Sequence, residues 1–119
     1  MTKTLALRIT AILGFMAVAL GAFGAHGLKD LLTRNGTLAT WETAVFYHFL
    51  HTAVMLWLAA NWPRLRGPWL SFLFGILVFS GSLYLLALTN VRWLGAITPV
   101  GGLGFLTGWA WLALKPPRE

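Results

Sequence analysis

Three histidines are the residues of this chain best suited to chemistry. Two of them, His48 and His51, stand three apart in an apolar stretch, with Met55 one turn further on. At that spacing the imidazoles share one helix face. Imidazole and thioether together suit copper, and imidazoles from two different helices, such as His26 and His51, suit haem b. The other polar groups available beside them are hydroxyls, on Ser80, Ser82, Tyr84 and Thr98. Glu42 is the carboxylate nearest in sequence, but at ~100° per residue it falls about 180° around a helix from His51, so it cannot orient that imidazole.

Most enzyme chemistries lack their parts. There is no cysteine, which excludes disulfides, thiolate nucleophiles and iron–sulfur clusters. No HExxH, no phosphate-binding glycine loop and no pair of neighbouring carboxylates is present. Ser80-Gly81-Ser82 lies inside an apolar run and not at a strand-to-helix turn, so it is no nucleophile elbow. The expectation is a non-enzymatic protein with no catalytic residue, no assigned metal and no cofactor.

These side chains are positioned by four apolar stretches, at residues 9–25, 44–62, 69–88 and 94–114, that fill most of the 119 residues and contain no charged side chain. A charge at bilayer depth costs kilocalories, so the solvent of this chain is lipid. Hydrophobic residues reach 58% and charged ones only 10%, too few to cover a water-soluble domain. The formal charge of +6 does not imply nucleic acid, because the nine basic residues are scattered between the apolar runs. Lys3, Arg8, Arg64, Arg66, Lys115 and Arg118 fall on one face, and Lys29, Arg34 and Arg92 on the other, partly neutralised by Asp30 and Glu42. By the positive-inside rule both termini are expected in the cytoplasm. The first run follows Lys3 and Arg8 as a signal peptide would, yet it is longer than a usual signal core, and a retained span is expected.

Short connections make neighbouring spans antiparallel, so the predicted fold is all-α: a single-domain, four-span transmembrane bundle. Between spans one and two, Leu28, Leu31, Leu32 and Leu38 alternate with polar residues, predicting a short interfacial helix that breaks at Asn35-Gly36. Thr40 would then cap the second span, with Glu42 in its first turn. Thr98-Pro99 either starts the fourth helix, with Thr98 as cap, or kinks it. Gly14, Gly21 and Gly24 mark a smooth stripe on the first span, and Gly101, Gly104 and Gly108 another on the fourth. Such stripes pack against a neighbour within the bundle or against a second copy, the former being preferred here. Trp41 and Trp93 are expected at the outer surface, and Trp62, Trp69, Trp109 and Trp111 at the inner one.

Placing the polar residues on these spans puts His48 and His51 about 6 and 10 Å below the outer surface, and Tyr84 and Thr98 about 6 Å below it. His26 stands at that surface, and Ser80 and Ser82 lie slightly deeper. A hydrogen-bonded cluster in the outer half, above a dry inner half, is therefore expected to tie the helices together. Glu42 is expected to pair with Lys29, Arg34 or Arg92 as an interfacial ion pair. Alternatives left open are a haem- or copper-binding redox component using His26 and His51, and an oligomeric transporter component.

Four ordered segments carry a resemblance. They are Gly21 to Leu28, Trp41-Glu42-Thr43-Ala44 followed by Tyr47 and His51, Phe79 to Tyr84, and Thr98 to Gly102. Together they resemble the domain-of-unknown-function 423 family, which includes YgdD-like bacterial inner-membrane proteins and eukaryotic transmembrane protein 256. The resemblance implies a small four-span protein of the bacterial inner membrane and no established activity. It also implies glutamine in many relatives at position 48 and a basic residue at 46, which favours His26 and His51 over His48 as site residues. The partners expected are the lipid bilayer itself, a bound lipid or small ligand, and a second copy (homo-oligomer) or a membrane complex to which the chain is an accessory subunit.

Overall fold

The protein is described from a computed structural model covering residues 1–117. Arg118, counted above among the basic residues, lies outside the described residues. Four helices are long and apolar enough to cross a membrane: Lys3–Ala25, Leu38–Ala60, Arg66–Thr89 and Arg92–Leu114. The first is α1 (Lys3–Ala25), followed by the short α2 (Lys29–Asn35) and then by α3 (Leu38–Ala60). The third span consists of α4 (Arg66–Gly75), a π-helical turn (Ile76–Ser80) and α5 (Gly81–Thr89). The fourth opens as a 3₁₀ turn (Arg92–Ala96) and continues as α6 (Thr98–Leu114). A helix of 23 residues such as α1 is about 34 Å long, slightly more than the hydrocarbon core. The consecutive spans alternate in direction, so the start of α1 and the end of α6 lie at one end of the bundle and α2 at the other.

Local chemistry explains the helix limits. The Thr2 hydroxyl oxygen accepts the Leu5 N–H at 3.1 Å, satisfying one free amide at the start of α1. Gly36, at φ 67°, closes α2 in the left-handed conformation that glycine adopts without strain. Thr40 does not cap the second span: α3 already begins at Leu38. Thr37 precedes it and turns its hydroxyl to the Ala87 carbonyl at 2.8 Å. Asn35 Nδ2 donates to the same carbonyl at 3.1 Å. The last carbonyls of α5 have no intrahelical donor, and the α2 connection supplies them. Similarly, Thr98 is the first residue of α6, with Pro99 tolerated in the first turn, but its side chain does not cap the helix.

Two helix pairs form the tightest seams. Along α1 and α3, Gly24 faces Trp41, Gly21 faces Val45 and Gly14 faces Thr52, an antiparallel register. Along the third span and α6, Gly101 lies on the Phe79 backbone of the π turn, Gly104 against Phe74 and Ser71 of α4, and Gly108 against the Phe72 ring. Both glycine stripes thus face neighbours within the bundle. A buried cluster of Leu13, Met55, Leu58, Trp69, Phe72, Ile76 and Phe105 joins the two pairs. A smaller one, Leu32, Trp41 and Ala87, closes the α2 end.

Tryptophan placement needs correction. Trp93 and Trp111 are exposed near the ends, and Trp62, half-buried, donates to the Met1 carbonyl at 3.2 Å. Trp41 and Trp69 are instead fully enclosed, because acceptors inside the bundle satisfy their indole N–H groups: the Leu20 carbonyl at 2.9 Å and the Thr10 hydroxyl at 2.9 Å. Trp109 likewise turns its N–H inward.

Candidate functional site

The polar side chains of the spans are brought together in pairs, each bridging two helices, and do not form one cluster. Ser80, at the end of the π turn, donates to the Ala44 carbonyl of α3 at 2.8 Å. Ser82 and Thr98 share a hydrogen bond of 2.6 Å between α5 and α6. His48 Nδ1 lies 2.8 Å from the Tyr84 hydroxyl. The Tyr84 ring in turn meets Trp41 edge to face at 4.8 Å.

His51 occupies the most complete environment. The Trp109 indole N–H, which can only donate, reaches its Nε2 at 3.1 Å. In the neutral imidazole the proton must therefore sit on Nδ1, which donates to the Tyr47 carbonyl at 2.8 Å. The ring stacks on Phe105 with centroids 3.8 Å apart and meets Phe72 edge-on at 5.0 Å. Both nitrogens are thus engaged, and neither has a lone pair free for haem iron or copper.

His26 is not part of this arrangement. It ends α1, where its backbone N–H bonds to the Ala22 and Phe23 carbonyls, and its side chain is exposed. In the α1–α3 register His51 lies level with Phe15, so about 16 Å of helix separates the two imidazoles. The pair His26 and His51 is therefore not a two-helix ligand set. Among the described residues no three His, Asp or Glu side chains gather as metal ligands.

Depth also departs from expectation. Because α3 starts six residues before the apolar run, His48 and His51 stand about 15 and 20 Å from its first residue, close to mid-helix. The inner half is not dry either. Thr10 and Trp69 bond to each other there, and Ser71 and Thr107 donate to the Gly67 and Leu103 carbonyls of their own helices. A threonine or serine in a helix satisfies itself on the preceding turn, which hydropathy does not register.

The expected interfacial ion pair does not form. Among the described residues Glu42 has no cationic partner, and Arg92 donates to the Asn35 carbonyl at 3.3 Å. Arg92 follows α5 on the other flank of α3, whereas Glu42 faces a groove beside α1. That groove, about 460 Å³, was not foreseen. Gly21 and Gly24 line one wall, Phe46, Phe49 and Ala53 the other, and Glu42 is the one charged residue in the lining. The glycine stripe was its only sequence signal, and it read as packing alone.

Comparison with known proteins agrees with the architecture. The family model described as "Protein of unknown function (DUF423)" matches residues 20–102. The chain belongs to the DUF423 family. A UPF0382 membrane protein of Staphylococcus epidermidis is 46% identical over 113 residues, covering 87% of this chain and 88% of its own. The UPF0382 membrane protein YwdK of Bacillus subtilis is 43% identical over 106 residues, with 83% and 85% covered. The UPF0382 inner membrane protein YgdD of Escherichia coli is 44% identical over 116 residues, with 92% and 87% covered. No solved structure matches. The DUF423 chain is thus an integral membrane protein, and the segments that carried the resemblance meet one another in space. Gly24 packs on Trp41, Ser80 bonds to Ala44, Ser82 to Thr98, and Phe79 receives Gly101.

Proposed function

We propose that this is a non-enzymatic membrane protein whose internal polar residues hold the bundle together and whose working surface is the α1–α3 groove, which receives the acyl chain of a lipid. One observation carries the reading. The polar side chains between the spans are nearly all matched to partners within the bundle, while Glu42, which has no cationic partner among the described residues, is the one charged residue lining an open apolar groove. Its volume of about 460 Å³ is that of an ordinary ligand site, and its lining from Glu42 to Ala53 extends about 16 Å along α3. In this reading the end holding both termini is cytoplasmic, with Lys3, Arg8, Arg66 and Lys115 on that side.

A phospholipid with a photoreactive diazirine in one acyl chain tests it. Labelling should concentrate on Phe46, Phe49 and Leu50, and fall several-fold in Ala53→Phe, which fills the groove from an exposed position. Equal labelling of the outward residues Leu103 and Leu106 of α6 overturns the proposal.

A further inference from the structure

The headgroup that such an occupant carries is written in the mouth of the groove. Glu42 is exposed in the second turn of α3, level with Gly24 near the end of α1. The nearby basic residues do not neutralise it: Lys29 and Arg34 form no ion pair with it, and Arg92 is engaged by Asn35. A carboxylate at the edge of hydrocarbon is stabilised by a cation, and the described residues supply none. The remaining source is the ligand itself. His26 adds a second element: it follows Ala25, a lining residue, and its exposed imidazole at the same mouth offers a hydrogen bond to a phosphodiester.

We propose that the groove selects a phospholipid with a primary ammonium headgroup, phosphatidylethanolamine in chemical class, whose acyl chain lies between α1 and α3. Its ammonium pairs with the Glu42 carboxylate, and His26 faces its phosphate. This rests on the groove being an acyl-chain site, and adds the headgroup to it.

The experiment is native mass spectrometry of the purified full chain, delipidated and then offered equimolar phosphatidylethanolamine and phosphatidylglycerol with identical acyl chains. The unaltered protein should retain the ethanolamine lipid about fivefold over the glycerol lipid, the ratio one partly screened ion pair supplies. Glu42→Gln should bring the ratio near one without lowering total lipid retention. Because Glu42 has no partner among the described residues, this variant keeps the fold, which helical circular dichroism verifies. Equal retention by the unaltered protein, or a preference that survives Glu42→Gln, overturns the headgroup assignment while leaving the groove in place. Undiminished retention of both lipids by Ala53→Phe overturns the groove itself. A lipid-free dimer would show that a second copy occupies the groove, and would overturn both.

Discussion

At the residue scale, His51 and His26 make opposite predictions from the same side-chain type. Replacing His51 by Leu leaves the Trp109 N–H without an acceptor in an apolar setting and removes a stacked ring from Phe105. The cost should be about 1–2 kcal/mol, near the upper range for interhelical bonds in membranes. His26→Leu, at an exposed helix end, should leave thermal stability in detergent unchanged. Equal losses in the two melting curves would contradict the assignment. His48 is a third case. Its Nε2 has no partner, and the His48–Tyr84 pair holds two protons but a single hydrogen bond. Glutamine can reach the same hydroxyl with its amide. His48→Gln should therefore melt within a few degrees of the unaltered protein, and His48→Leu well below it.

At the scale of elements, the glycine seams divide into positions where a methyl group has room and positions where it has none. A Cβ on Gly101 would overlap the Phe79 backbone, which cannot move aside without shifting the third span, so Gly101→Ala should destabilise by about 1–3 kcal/mol. Gly81 has nothing within reach and sits in helical conformation, so Gly81→Ala should be neutral or stabilise by up to about 1 kcal/mol. Thermal unfolding of the two variants compares them directly. The four spans and both stripes were legible because apolar length and small-residue spacing report directly on the bilayer and on helix contact. The π turn was not, since a widened turn changes no composition. Nor were the inward tryptophans: an indole reads as an interfacial anchor until the acceptor that satisfies it, such as the Leu20 carbonyl or the Thr10 hydroxyl, is known to lie opposite. The pairing of Ser82 with Thr98 was visible only as a shared depth, and the absence of a partner for Glu42 depended on which flank of α3 it occupies.

At the scale of the whole molecule, the proposed orientation rests on the distribution of basic residues, and the chain has a convenience for testing it. Lacking cysteine, it accepts single cysteines as unambiguous reporters. A cysteine at Thr2 or Lys115 should be shielded from an impermeant maleimide added to intact cells, and one at Arg34 should react. The reverse pattern would invert the assigned topology.

The two glycine-clasped seams, α1 with α3 and α4 with α6, each join spans that are consecutive in the chain, and a single connection around residues 61–65 links them. The protein is in this sense two hairpins docked side by side. Beside the buried apolar cluster that joins them, side-chain hydrogen bonds cross between the two: Thr10 to Trp69, Ala44 to Ser80, His48 to Tyr84, His51 to Trp109. Hydrocarbon offers no competing donors or acceptors for those groups, so recognition between the halves does not depend on the linker that tethers them. A gene severed at that connection should still yield a working assembly when both fragments are made in one cell, each inserting alone and then finding its counterpart by polarity.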